Sequence, residues 1–490
     1  MNESTVHELF HERARLHPQR IALVEGERKL DYGSTARIVR SLATKLAAHG
    51  VTRGERVAVL SENCLEYLLV QLAAAHLGAM VACLNYRLTA EELVACIGQV
   101  QPKLLLRSTR FAETATRAGA GLESHGLTDF VAGAASYEDC ATTGQPEDGL
   151  LIIFTSGTTG TPKAAVISQR AEVARMGVLQ RDLHLDEEDA FIAWAPMFHM
   201  GGSEHSLSSL MYGATVVVID GLDPVAIVDT LLERKVGWLL LVPATIEPVL
   251  AELRGRGAAV RGLKVIGCMA DMVARAQVED ACRLTGAAFL NSFGSTETGL
   301  PPLSGGLLHP GGEDWDLGKR ANTGCELLLQ AESNGVGEML VRGPTLFSGY
   351  WREGRIDRSG FINGAYPMGD LFRRREDGCF EFSGRSKYLI KSGGENIYPA
   401  EIEGPLLADP RIEEAIVVRR PDQRWGEVPV LFVATGNASI TEDEILALLQ
   451  TRLARYKLPR EVRFVNAAEL PRNTSGKVMR EVLEQTVATD

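Results

Sequence analysis

Residues Leu151–Lys163 read LIIFTSGTTGTPK. The apolar start has the composition of a buried strand, and it runs directly into a loop of hydroxyl residues, two glycines and a lysine. Glycine lets a backbone approach a phosphate closely, hydroxyl and N–H groups donate to its oxygens, and Lys163 adds positive charge. The stretch is not the GxxxxGK[ST] loop, because Lys163 follows Pro162 and precedes Ala164. Taken alone, it is also compatible with an ordinary surface loop.

Upstream, Asp31–Ala48 repeats apolar residues at helical spacing and ends at Gly50, and Arg56–Leu60 is a short apolar strand. The uncharged run Tyr67–Tyr86 follows, long enough to cross a membrane. Gln71, His76 and Asn85 are polar, however, and Gly78 interrupts the run. A buried helix to Leu77, a turn at Gly78 and a strand Met80–Leu84 explain it better. Downstream, the strand candidates are Leu150–Phe154, Ala214–Ile219, Trp238–Val242, Leu263–Ile266 and Ala288–Asn291, separated by helical segments. This alternation predicts an α/β fold with largely parallel, buried sheets. From about Trp315 to Phe382 short strands with Gly and Asp turns predict a small β-rich subdomain. Beyond Arg385 a Gly-rich turn (Ser392–Gly394), a helix from Pro399, a strand Ala415–Val418 and a helix Glu442–Leu453 predict a compact α/β tail.

The chain has 490 residues, which predicts about three units. Its 45 % apolar and 23 % charged composition is that of a globular protein. A net charge of −12 repels phosphate backbones, so no general nucleic-acid binder is expected, although a groove for one nucleotide remains compatible. The eight cysteines include no CxxC and no zinc-type spacing with histidine. With a charged N-terminus that lacks a signal-peptide apolar stretch, they predict a reducing, cytoplasmic location and no membrane span.

TSGTTGTPK resembles the phosphate loop of the acyl-adenylate-forming superfamily, which includes acyl-CoA synthetases. Further motifs follow in the family's order: PMFHMGG (Pro196–Gly202), NSFGSTETG (Asn291–Gly299), YPMGD (Tyr366–Asp370), GRSKYLIKSGGENIYPAEIE (Gly384–Glu403) and PRNTSGK (Pro471–Lys477). The resemblance spans essentially the whole chain. It implies a large N-terminal nucleotide- and acyl-binding domain, residues 1–384, with two α/β subdomains and the β-rich one. A mobile C-terminal α/β domain, residues 385–490, would carry the catalytic lysine.

The implied chemistry is activation of a carboxylic acid. A carboxylate is a weak nucleophile and a worse electrophile; attack on the α-phosphate of ATP gives an acyl-adenylate that a thiol can then displace. Thr155, Ser156, Gly157, Thr158, Thr159, Gly160 and Lys163 would clamp the β- and γ-phosphates, with Thr155 also near the metal. Asn291, Ser292, Phe293, Gly294 and Ser295 would form the adenine segment. Thr296 would contact the α-phosphate, and Glu297 would hold Mg²⁺, a hard cation that favours carboxylate oxygen. Asp370 would accept from both ribose hydroxyls, Arg385 would support ribose and phosphate, and Lys477 would bridge the carboxylate and α-phosphate. His199 would gate the acyl pocket, and Trp425 would pack on the pantetheine arm of the thiol acceptor.

Read without the motif context, a lone Glu, a C-terminal Lys or an Asp after Gly is more often a solvated or turn residue. The chain also departs from the family pattern: Ala164 replaces Gly, Gln169 His, Met368 Thr, Cys268-Met269 smaller residues, and Tyr388 the Asp after the hinge at Lys387. The leading expectation is an ATP-dependent acid:CoA ligase using ATP, Mg²⁺ and CoA. The alternatives are a stand-alone adenylation enzyme serving the phosphopantetheine of a carrier protein, and a non-catalytic nucleotide binder.

Overall fold

The apolar run that leads into the glycine loop is the strand Gly149–Thr155, at the heart of an eight-stranded sheet. The computed structural model describes residues 4–155, 162–304, 306–309, 316–331, 335–392, 395–436, 439–453, 455–473 and 476–488. Gly149–Thr155, Met80–Cys83, Arg56–Leu60, Leu104–Arg107 and Ser124–Gly126 run parallel. Lys163–Ser168, Gly349–Arg352 and Arg355–Asp357 extend the sheet antiparallel from its other edge. A second eight-stranded sheet has the order Leu307–Leu308, Ala288–Leu290, Leu263–Gly267, Val236–Leu240, Ala190–Ala193, Val216–Val218, Ile21–Glu25, Arg28–Asp31, parallel except at its two ends.

Buried parallel strands need cover on both faces. Helices Val6–Leu16, Tyr32–Ala48, Leu65–Leu77, Gln169–Leu183 and Met200–Tyr212 share one apolar core with residues of both sheets, so they form a layer between them. Pro224–Glu233, Pro243–Arg256 and Arg275–Thr285 cover the outside of one sheet; Ala90–Val100 and Ala112–Ala118 cover the other. That central layer explains the uncharged run: all thirteen residues of Leu65–Leu77 are buried, and Gly78, at φ +71°, ends the helix in the left-handed region. Among the described residues no helix is long and apolar enough to cross a membrane.

The β-rich stretch divides in two. Glu326–Ala331, Val336–Arg342, Tyr366–Arg374 and Phe380–Arg385 form a four-stranded antiparallel sheet around Phe293, Phe372 and Phe380. The hairpin Gly349–Asp357, expected in the same subdomain, instead joins the first sheet, pairing Tyr350 with Ala165. A smaller C-terminal unit follows, with a five-stranded sheet (Glu395–Ile397, Ile390–Ser392, Gly426–Ala434, Glu414–Asp422, Glu461–Phe464). Helices Pro399–Leu407, Glu442–Gln450 and Arg480–Ala488 pack on it. Gly393 and Gly394 of the expected Gly-rich turn lie outside the described residues.

Candidate active site

Asp370 stands where the strand Tyr366–Arg374 kinks. Gly369 precedes it at φ +73°, a turn that a β-carbon would strain, and donates its N–H to Glu338 Oε1 at 2.9 Å. The Asp370 side chain is 1 % exposed, yet neither carboxylate oxygen has a hydrogen-bond donor among the described residues. Arg385 Nε lies 2.9 Å from Oδ1, close enough to pair in charge but off the line of a hydrogen bond. Burial pushes the Asp370 pKa up to about 6, against the pull of Arg385 and Lys477. A buried carboxylate with two unfilled acceptors is poised for a ligand that brings two donors.

Lys477 reaches this point from the C-terminal unit. Its N–H donates to Asn473 Oδ1 at 3.0 Å, which fixes the turn. The residue still meets water, but neighbouring protein partly desolvates the ammonium, and this lowers its pKa. Arg385 lowers it further, while Asp370 and Cys268 oppose the shift. Lys477 also lies within electrostatic reach of His199. Thr474 and Ser475 of the same motif lie outside the described residues.

His199 caps the helix Met200–Tyr212 without a side-chain hydrogen bond, and its Nε2 is buried with no partner among the described residues. Burial, reinforced by Arg87 and Lys477, pushes its pKa down to about 4, so the ring is neutral at pH 7. The preceding segment is held by Asn63, a residue the motifs do not single out. Its Nδ2 donates to Ala195 O at 2.9 Å and its Oδ1 accepts from Met197 N at 2.8 Å.

Glu297 Oε1 accepts from Tyr350 Oη at 2.6 Å, and Tyr350 Oη lies 2.8 Å from Tyr366 Oη. Lys163 Nζ lies 5.3 Å over the Tyr350 ring, and Thr155 pairs with Lys163 across the strand ladder. The hairpin thus carries a tyrosine that Glu297 and Lys163 both face. Sequence reading misses Tyr350, because nothing local indicates where that hairpin pairs. Ser156, Gly157, Thr158, Thr159 and Gly160 lie outside the described residues.

In the segment expected to meet adenine, several side chains are engaged by protein. Asn291 commits its amide oxygen and one N–H to protein: Oδ1 accepts from Ala270 N at 2.9 Å and from Lys319 Nζ at 2.7 Å, and Nδ2 donates to Leu317 O at 3.0 Å. The Phe293 ring is buried edge-on to Phe372, with centroids 4.9 Å apart, because the four-stranded sheet needs an aromatic in its core. Ser292 donates its N–H to Cys268 O at 3.1 Å, and Ser295 N–H donates to Thr298 Oγ1 at 3.0 Å. Gly294, exposed, lies against the Gly299 backbone, where a β-carbon would collide. Thr296 is partly buried, and its carbonyl accepts from Arg175. Trp425 sits apart, exposed on the turn between Glu414–Asp422 and Gly426–Ala434, with the Arg424 guanidinium 4.8 Å over its ring.

Three of the departures noted in the sequence find structural uses. Gln169 ties the N-terminal helix to the central one, accepting from Val6 N at 3.0 Å and donating to Ala75 O at 2.9 Å. Met368 fills the core around Phe372. Tyr388 Oη and Lys387 Nζ each donate to Glu481 Oε1 at 2.7 Å, clasping the turn Ser386–Tyr388 to the last helix.

Two layered, largely parallel sheets and a smaller C-terminal unit whose Lys477 lies within electrostatic reach of the buried Asp370 carboxylate are the frame of a nucleotide-dependent ligase. Residues 10–351 match the model of the AMP-binding enzyme family and residues 401–477 that of the AMP-binding enzyme C-terminal domain, and the chain belongs to this family. It is 35 % identical to an indoleacetate–CoA ligase of Aromatoleum aromaticum, over 97 % of this chain and 96 % of the relative. It is 32 % identical to a 2-succinylbenzoate–CoA ligase of Bacillus cereus, over 97 % of each. Among solved structures, o-succinylbenzoate CoA synthetase (MenE) of Bacillus subtilis with its acyl-adenylate intermediate superposes with a TM-score of 0.83 at 26 % identity, covering 99 % of both chains. The same enzyme has been solved with ATP and magnesium, again at a TM-score of 0.83 and 26 % identity, covering 98 % of this chain and 99 % of that one. The protein is an AMP-forming acid–thiol ligase of the acyl-CoA synthetase type, which activates a carboxylic acid with ATP and passes it to CoA.

Proposed function

We propose that the acid is an aromatic or arylalkyl carboxylic acid, and that residues 385–490 are the mobile domain that separates its activation from its transfer. The relatives named for indoleacetate and for 2-succinylbenzoate support the substrate class. So does the aromatic wall beside His199, where Phe198 meets Tyr86 edge-on at 5.0 Å. The observation that carries the site assignment is the convergence of Lys477 on Asp370, the buried carboxylate whose two oxygens lack donors.

Each residue then has its share of the work. Asp370 accepts the two ribose hydroxyls and Arg385 holds the same nucleotide from the solvent side. Thr155 and Lys163, with the glycine loop between them, hold the outer phosphates. Glu297, a carboxylate beside two tyrosine hydroxyls, fits Mg²⁺, which when bound neutralises phosphate charge. His199, uncharged at neutral pH, admits the acid without trapping its anion as a salt. Lys477 draws the acid's carboxylate and the α-phosphate together. A carboxylate oxygen attacks phosphorus, the α–β bridging bond breaks, and pyrophosphate leaves. For the second step the CoA thiolate attacks the acyl carbon and AMP leaves, which requires Lys477 to withdraw. Rotation about Lys387 would withdraw it; Tyr388 and Glu481 travel together on the moving side, and the Lys387–Glu481 pair is the contact that has to part.

The test is acid-dependent pyrophosphate release over a panel of aryl-, arylalkyl- and straight-chain acids, with and without CoA. Higher kcat/KM for arylalkyl acids supports the proposal; preference for straight-chain acids refutes the substrate class.

A further inference from the structure

Arg175, on the helix Gln169–Leu183, is 3 % exposed at its side chain and engages three separate segments. Its Nη1 pairs with Glu204, Nε donates to Thr345 O at 2.9 Å, and Nη2 donates to Thr296 O at 3.1 Å. Glu204 lies on the helix that His199 caps. Thr296 immediately precedes Glu297, whose own carbonyl accepts from Phe347 N at 2.8 Å. Phe347 in turn lies two residues beyond Thr345. One guanidinium therefore ties together the peptide before Glu297 and the segment that pins the peptide after it. The chain makes room for this: Gly299 sits at φ +76°, and a β-carbon there would come within 2.6 Å of Arg175 Cδ and Nε.

We propose that Arg175 is a positioning residue for Glu297, setting the direction of the metal-binding carboxylate and coupling it to the helix that opens the acid pocket. The planar fork is what the role needs. A guanidinium can satisfy a carboxylate and two carbonyls at fixed angles, whereas an ammonium supplies charge without that geometry. Without the fork, the Thr296 peptide is anchored on one side only, and the Glu297 side chain swings with it. The proposal rests on Glu297 being the magnesium residue, and the experiment tests that assumption separately.

The experiment compares wild type, Arg175→Met, Arg175→Lys and Glu297→Gln in acid-dependent ATP–pyrophosphate exchange, titrating Mg²⁺ and recording thermal midpoints. Arg175→Lys restores a buried cation beside Glu204, so its thermal midpoint should recover toward wild type relative to Arg175→Met. Its half-saturating Mg²⁺ should stay raised about tenfold, with kcat lowered and the KM for the acid little changed. A purely structural role would move the thermal midpoint and leave the Mg²⁺ dependence of the folded enzyme alone. Wild-type Mg²⁺ dependence in Arg175→Lys overturns the proposal, provided Glu297→Gln shifts that dependence. An unshifted Glu297→Gln instead overturns the assignment of Glu297. Should Arg175→Met fail to fold, the lysine variant alone decides.

Discussion

Replacing Asp370 by Asn should make the nucleotide-free protein more stable while crippling nucleotide binding. Burial raises this carboxyl from its ordinary 3.8 to about 6. The native state therefore binds the proton more tightly than the unfolded chain does, and the ionised form costs stability. The cost is absent below about pH 4, builds between about pH 4 and pH 6, and is complete above that. A gap of about two units corresponds to about 3 kcal/mol. Asp370→Asn removes this net cost, in which the attraction to Arg385 is already counted, so the gain at pH 8 should approach about 3 kcal/mol. Denaturant titration of nucleotide-free protein should show the variant more resistant than wild type at pH 8, with the difference vanishing near pH 4. Binding gives the complementary signal, with adenosine as probe because it has no phosphate to titrate. If its hydroxyls donate only to the ionised carboxylate, wild-type affinity should fall about tenfold between pH 7 and pH 5, and the Asn variant should bind weakly and without that slope. Equal stability at pH 8 together with a flat wild-type profile from pH 7 to pH 5 would refute the reasoning.

Lys477→Ala should reduce acid-dependent pyrophosphate release by at least about a hundredfold, since removing one charge-assisted hydrogen bond from the transition state costs about 3 kcal/mol. Synthetic acyl-adenylate supplied to the same variant should still be converted to acyl-CoA; loss of both steps would remove Lys477 from its role. Lys387→Pro should retain adenylate formation, because the 3₁₀ turn Ser386–Tyr388 suits a φ near −65°, while thioester formation falls more than tenfold. Equal losses would mean that the proline only damages the fold. Glu481→Gln loosens the clasp on Lys387 and Tyr388 and should shift the balance toward thioester formation, read as the ratio of free adenylate to acyl-CoA in single-turnover quenches.

The main architecture is legible in the sequence because buried parallel strands and their covering helices carry their own signals. Arg56–Leu60 falls where its apolar run ends, Asp31 caps the helix Tyr32–Ala48 through Ser34 N at 2.6 Å, and Gly78 stops the helix that resembles a membrane span. Strand ends are less legible: Ala214–Ile219 contracts to Val216–Val218, and Ala415–Val418 grows to Glu414–Asp422, since pairing partners decide those limits. What local pattern cannot give is long-range pairing. The hairpin that carries Tyr350 to Glu297 docks on a strand nearly two hundred residues earlier, and Arg175 reads as an ordinary helical arginine until its fold neighbours appear. Phe293 shows the converse, a motif position whose ring the local sheet draws into its own core.

The most direct test of the central claim is the stoichiometry of one reaction: a saturating arylalkyl acid, ATP, Mg²⁺ and CoA, with nucleotide products and thioester quantified from the same quench. The cleft geometry predicts equal amounts of AMP, pyrophosphate and acyl-CoA, with AMP-ester accumulating when CoA is left out. Formation of ADP and phosphate, or of AMP without any thioester in the presence of CoA, would contradict it.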